Sequence, residues 1–182
     1  MLRVFLSRAA IAALAACLLL SATGCRKKRP QQRTDLVTEE PAGLVTMIHT
    51  ADPRAAVQLL RGFHEVEESA WRWAAPEFAV TLRVPKGAAQ KGANLVLKFA
   101  VAEASIQKFK SVTITGKLDT TELKPETYSV AGPGTYTREI PATALTGESV
   151  TAMFKVDKFI AASDSDQRDL AVIVSLIGLE VK

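Results

Sequence analysis

Reactive and cross-linking side chains are scarce in this sequence. Its 182 residues include two His, two Cys and two Trp. Zinc sites draw mainly on Cys and His, and here His49 and His64 lie 15 residues apart with no cysteine after Cys25, so a metal centre is not expected. Asp164-Ser165-Asp166 and Asp169 offer oxygens, but the Gly and closing Glu of a calcium loop are missing. There is no Gly-x-Ser-x-Gly elbow, and Gly132-Pro133-Gly134 is a turn, not a phosphate cradle. No cofactor is expected. No apolar run reaches the ~18 residues of a membrane-spanning helix. A hydrophobic share of 48% with 23% charged excludes whole-chain disorder.

The longest apolar stretch, Ala9 to Leu20, follows Arg3 and Arg8 and precedes Ser21-Ala22-Thr23-Gly24-Cys25. A basic start, a short apolar segment and small residues describe a secretory signal. The Cys directly after Gly24 makes it resemble the lipobox of bacterial lipoproteins, with Ala22 where Leu is commoner. Residues 1–24 are then a signal peptide, and Cys25 carries the lipid. Cys17 leaves with the signal, so no internal disulfide remains. Two or more acyl chains on Cys25 hold a protein firmly at a membrane surface. Arg26 follows it, in place of the Asp that resembles an inner-membrane retention signal in some Gram-negative bacteria.

Charge is concentrated next to that cysteine. Arg26-Lys27-Lys28-Arg29 and Arg33 fall in a segment with Pro30, Gln31, Gln32 and Pro41, so residues 25–43 read as a basic, flexible tether. From Asp35 onward 16 basic residues face 19 acidic ones, a net of −3. Nucleic-acid binding needs a basic face on the fold itself, and this net charge gives no evidence of one, whereas the tether suits anionic headgroups.

Residues 44–182 are read as one domain. Phe78, Val80, Leu82 and Val84 alternate with Thr81 and Arg83. Leu95, Leu97, Phe99 and Val101 repeat the pattern with Lys98 outward, as do Val112, Ile114 and Leu118, and Val150, Ala152, Phe154 and Val156. Leu170 to Leu176 is apolar on both faces, so that strand is expected to be buried on both. Turns stand at Pro85-Lys86-Gly87, Lys91-Gly92, Asp119-Thr120-Thr121 and Ala131 to Gly134, the last before Tyr136 to Ile140. Many short strands between turn signals predict an all-β, antiparallel β-sandwich. Short helices are expected from Asp52-Pro53 through Leu60, ended by Gly62, and from Glu103 to Phe109, with a helical turn over Ala142 to Leu145.

One segment stands apart: Gly62-Phe63-His64-Glu65-Val66-Glu67, then Trp71-Arg72-Trp73, with Asp166-Gln167-Arg168-Asp169-Leu170 near the end. This layout resembles a small β-sandwich domain of bacterial envelope lipoproteins that is also appended to some glycosyltransferases and other polysaccharide-related proteins. The resemblance covers most of residues 50–180. It implies a jelly-roll-like sandwich and an association with extracellular sugars. Ala171 stands where that domain more often has Gly, and His64 where Tyr is common.

In a strand, Trp71 and Trp73 project to one face and Arg72 to the other. As a ligand platform, the indoles of Trp71 and Trp73 offer flat apolar area for sugar rings while Arg72 or Glu67 bonds hydroxyls, and His64 is a further candidate for ligand binding. As a structural set, the two Trp fill the core, Glu67 pairs with Arg72, and Asp166 with Arg168 forms a salt bridge ahead of the last strand. The expectation is a lipid-anchored, non-enzymatic protein of the bacterial envelope, facing the periplasm or cell surface, that binds or organises polysaccharide. The alternative is an accessory lipoprotein acting as a protein–protein interaction module. A small hydrolase would need two of Glu65, Glu67 and Glu68 set ~5–9.5 Å apart across a cleft.

Overall fold

The computed structural model describes residues 43–182. Cys25 and the segments expected to be a signal and a tether lie outside these residues. Each alternating run is a strand, and its apolar phase faces inward. Phe78, Val80 and Leu82 are buried on β3 (Trp71–Arg83), and Leu95, Leu97, Phe99 and Val101 on β4 (Ala93–Val101). Val112, Ile114 and Leu118 are buried on β5 (Val112–Leu118). β1 (Met47–His49), β2 (Leu59–Glu67), β6 (Thr121–Tyr128), β7 (Gly132–Ile140), β8 (Ser149–Val156) and β9 (Val172–Val181) complete the set.

All pairings are antiparallel, in the order β6-β5-β8-β3-β9-β4-β7, with β1 added to β9 and β2 to β3. β3 serves two wings: Glu77–Arg83 pair with β8, and Arg72–Ala74 pair with β9. The wings fold face to face. Tyr136 of β7 meets Phe154 of β8 edge-on at 6.1 Å, and Phe99 of β4 meets Tyr128 of β6 at 4.8 Å. The core is the layer between them, and the fold is a jelly-roll-like antiparallel β-sandwich.

The outermost strands, β6 and β7, are joined by side chains. Tyr136 Oη and Arg138 Nε both donate to the Lys124 carbonyl, at 2.9 and 2.6 Å, and Tyr128 Oη donates to Thr135 O at 3.1 Å. Burial pushes both phenols upward, so they remain neutral donors. Gly116 on β5 makes room for this seam, since a Cβ there would lie 2.9 Å from Tyr136 Oη. Pro125 and Pro133 lie in these two strands, where a missing N–H is tolerated.

The helix Glu103–Phe109 and the 3-10 turn Ala142–Ala144 stand where the sequence predicts them, and a one-turn helix, Ala88–Lys91, adds to the turn residues there. The stretch after Asp52 differs. Asp52 does cap, accepting the Arg54 N–H at 2.9 Å, but the turn is a 3-10 helix, Pro53–Gln58, and β2 begins at Leu59. Gly62 is therefore not a helix stop. With φ of 77° it kinks β2 tightly over β3, where any Cβ would collide with the Glu77 carbonyl oxygen. Buried Gln58 ties the corner together: Nε2 donates to the Val45 and Thr81 carbonyls, and Oε1 accepts the Val45 N–H.

Candidate functional site

The β2–β3 hairpin places Trp71. Its turn closes with Ala70 N–H donating to Glu67 O at 3.1 Å, and Glu68 and Ser69 have φ of 52° and 55°. Positive φ at both central residues is the type I′ geometry that matches strand twist. Neither residue is Gly, so each carries roughly 1–2 kcal/mol of left-handed strain. The turn sets Glu67 opposite Trp71 and Val66 opposite Arg72.

From there the strand's alternation decides directions. Ala74 and Phe78 are fully buried, so Trp71 and Trp73 point to the opposite, outer face. Both are half-buried and packed edge-to-face, with ring centroids 6.3 Å apart and an interplanar angle of 85°. The two Trp do not fill the core, because β3 enters with its small residue, Ala74, in the inward phase.

Cross-strand register extends this surface. Trp73 lies opposite Ile173, Ile173 opposite Ala100, and Ala100 opposite Pro133. Directly opposed residues share a face, so these four form one apolar row across β3, β9, β4 and β7. The next row runs His49, Leu176, Lys98, Thr135. Ile173 and Leu176 share a face although three residues apart, because β9 has a register shift opposite Lys98–Phe99. The last strand is therefore not buried on both faces as its sequence led one to expect, since this face of it is the outer surface and both residues are only half-buried there. Trp71, Phe99, Ala100, Pro133, Ile173 and Ser175 line a shallow depression of about 310 Å³ on this face.

The remaining predicted residues make contacts within the protein. Arg72 donates from Nε to Thr50 O at 2.7 Å and from Nη1 to His64 O at 2.8 Å, joining the end of β1 to the β2–β3 hairpin. Glu67 therefore does not pair with Arg72. It accepts from Arg168 at 2.7 Å, and Arg168 also grips Asp166 through two bonds of 2.9 Å. Arg72 points away because its strand phase is opposite, while the loop before β9 brings Arg168 over Glu67. The Arg168 guanidinium holds the Asp166 carboxyl below its ordinary range, and its own proton is held more tightly by Asp166 and Glu67. His64 Nε2 donates to the Asp169 carbonyl at 2.9 Å. Glu67, His64, Asp166 and Arg168 thus clasp the loop to β2, whereas Trp71 and Trp73 look outward.

Lys98, Ile173, Ala100 and Pro133 are the residues that sequence reasoning did not attach to the site. The outward phase of Lys98 was legible, but its neighbours come from three other strands. On the opposite wing, the outer face carries Arg61, Glu77, Lys155, Lys117 and Glu122 around a depression of about 210 Å³. Its charges are paired: Glu77 with Lys155 at 3.4 Å and Arg61 at 3.9 Å, and Lys117 with Glu122 at 3.0 Å. Among the described residues no group of three or more His, Cys, Asp or Glu is placed to hold a metal ion, and no helix is long and apolar enough to cross a membrane.

No family model matches the chain, and no curated protein matches it. Solved structures of loosely similar shape do. A GH115 4-O-methyl-α-glucuronidase, BtGH115A, with specificity for decorated arabinogalactans, aligns with a TM-score of 0.45 at 13% identity, over 76% of this chain and 18% of that one. This chain thus spans under a fifth of that enzyme's length. The CBM36-1 domain of a multidomain xylanase from the hindgut metagenome of Trinervitermes trinervoides aligns with a TM-score of 0.39 at 10% identity, over 73% and 95% of the two chains. A CBM4 structure gives 0.34 at 11% identity, over 79% and 92%.

Proposed function

We propose that this protein binds polysaccharide, without cleaving it, on the outer face of the β3–β9–β4–β7 wing, and that it does so as a lipid-anchored component of the bacterial envelope. The observation that carries the binding reading is the apolar row Trp73–Ile173–Ala100–Pro133 with half-exposed Trp71 lining the depression beside it. Sugar rings present apolar C–H faces, and a flat aromatic and aliphatic surface buries them at roughly 25 cal/mol per Å². The row crosses four strands about 4.8 Å apart, or ~14 Å, enough for a short run of rings. Thr135, Ser175 and the indole N–H groups border it as hydroxyl partners. Binding without hydrolysis fits the carboxylates of the clasp, since Glu67 and Asp166 are both held by Arg168.

The test is a titration of the detergent-solubilised full chain with envelope polysaccharides, followed by tryptophan emission. Both Trp of the sequence lie on this face, so bound glycan should shift the emission and protect it from iodide. Trp71→Ala should abolish saturable binding while leaving the fold intact. No emission change with any glycan sinks the reading. The anchor is tested separately: Cys25→Ser should move the protein from the membrane to the soluble fraction, and unchanged partition would refute it.

A second reading is favoured by Val57 and Leu60, which are 71% and 51% exposed where the 3-10 turn runs into β2. Large apolar side chains left in water at one spot suit a protein partner in an envelope assembly. Val57→Asp with Leu60→Asp should then abolish co-purification of an envelope protein from crosslinked membranes. An unchanged crosslinking pattern would exclude this reading.

A further inference from the structure

We infer that the glycan taken by this face is an acidic one, and that Lys98 is the residue that selects it by pairing with a sugar carboxylate. This rests on the glycan reading above and adds the class of ligand. Lys98 is exposed on β4 two residues before Ala100, so it stands on the same face as the apolar row and one step along it. That step is about 6.6 Å, within reach of the side chain's four-carbon stem.

Its surroundings make it an unmatched charge. The residues directly opposite are Leu176 on β9 and Thr135 on β7, and along β4 its same-face neighbours are Val96 and Ala100. None is acidic, and Lys98 forms no salt bridge among the described residues. The carboxylates farther along the face are Glu139, which Lys182 takes at 2.7 Å, and Glu180, opposite Asn94. At the other end of the same row, His49 adds a ring N–H donor opposite Leu176. Asp52 lies within electrostatic reach of His49, but its carboxylate is bonded to Arg54 at 2.9 Å. A ligand on the apolar row therefore meets one unpaired cation, and Glu67, the carboxylate opposite Trp71, is already held by Arg168. A neutral glycan can offer Lys98 only a hydroxyl oxygen, a weaker partner than a carboxylate. A uronate, with its carboxylate standing off the ring edge, gains a charge-assisted hydrogen bond.

The experiment compares three polymers by tryptophan emission with the full chain: polygalacturonate, the same backbone as its methyl ester, and neutral xylan. Esterification removes the charge and keeps the ring. The acid form should bind about tenfold or more tighter than its ester, as expected for a bond to a charged group. That gap should narrow as salt is raised. In Lys98→Gln the gap should close to about twofold, chiefly through weaker binding of the acid form. Equal binding of acid and ester by the unaltered protein, or binding of xylan alone, overturns the acidic selectivity and leaves the platform standing. A gap that persists in Lys98→Gln assigns the selectivity elsewhere and overturns the role of Lys98. No binding of any of the three overturns the platform and this inference together.

Discussion

The two outer faces of the sandwich are built from the same kind of strand and satisfied in opposite ways. On the β6–β5–β8–β3 side, Arg61, Glu77, Lys155, Lys117 and Glu122 pair with one another across strands. Such exposed pairs contribute ~0–1 kcal/mol each, and their main effect is to keep the surface polar and well hydrated. On the β3–β9–β4–β7 side, the residues in register are Trp73, Ile173, Ala100 and Pro133, with Lys98 unpaired beside them. On the first face these charges are already engaged with one another. The second leaves apolar area and one charge without partners, which is where a ligand has free energy to gain. Wherever both faces of a sandwich reach solvent, the face whose groups are not already paired is the one to test for binding.

The comparison can be broken most forcefully from beneath. Phe154 lies under the charged face, stacked on Phe78 at 5.1 Å and edge-on to Tyr136. Phe154→Ala should cost ~3–5 kcal/mol in urea unfolding as a core truncation, whereas Trp71→Ala, removing a half-exposed ring, should cost ~1–2 kcal/mol. Equal losses would mean that Trp71 is structural after all. A gain is expected at the turn before it: Ser69→Gly relieves left-handed strain and should raise stability by ~1 kcal/mol without altering the emission of Trp71.

Acid should loosen the clasp that borders the aromatic face. The Asp166 carboxyl is held below the ordinary carboxylate range, chiefly by the hydrogen bond from Arg168. A carboxyl depressed by folding contributes stability above its unfolded pKa, and that contribution is lost as pH falls through the folded value. The protection of the loop around Asp166, read as amide exchange relative to the unfolded chain at the same pH, should therefore be flat down to about pH 4 and fall below it. Asp166→Asn should remove that acid step. The smallest effect belongs to the charged face, where Glu77→Gln loses two exposed pairs and should change stability by under ~0.5 kcal/mol and glycan binding not at all.

Much of the fold was written in the alternation of β3, β4, β5 and β8, since a strand with one face in the core must repeat with period two. β2 was not legible for the same reason. It kinks at Gly62 and shifts register three times against β3, so its exposure follows no simple period, and Gly62 read as a helix stop. The outward face of Trp71 and Trp73 was legible only as a parity. Which parity is inward depends on Ala74 and Phe78, and the small size of Ala74 obscured it. Glu67 finding Arg168 was hidden altogether, because the partners are 101 residues apart and meet only once β2 and the final loop are in place. Lys98, Ile173 and Pro133 become neighbours through strand order, which no local pattern encodes.

The extra residue in β9 carries a consequence for how this surface can diverge. Val174 pairs with Phe99 and Leu176 with Lys98, so Ser175 is the residue that the ladder skips. Because of it, Ile173 stands outward beside Trp73 while Ile177 and Leu179 stay in the core. Losing one codon there would turn half the strand over, sending either Ile177 and Leu179 into water or Ile173 into the interior. Point changes can retune the aromatic face residue by residue, but single-residue insertions and deletions in β9 are closed to it. The side chains of that face are free to drift within a register that is not.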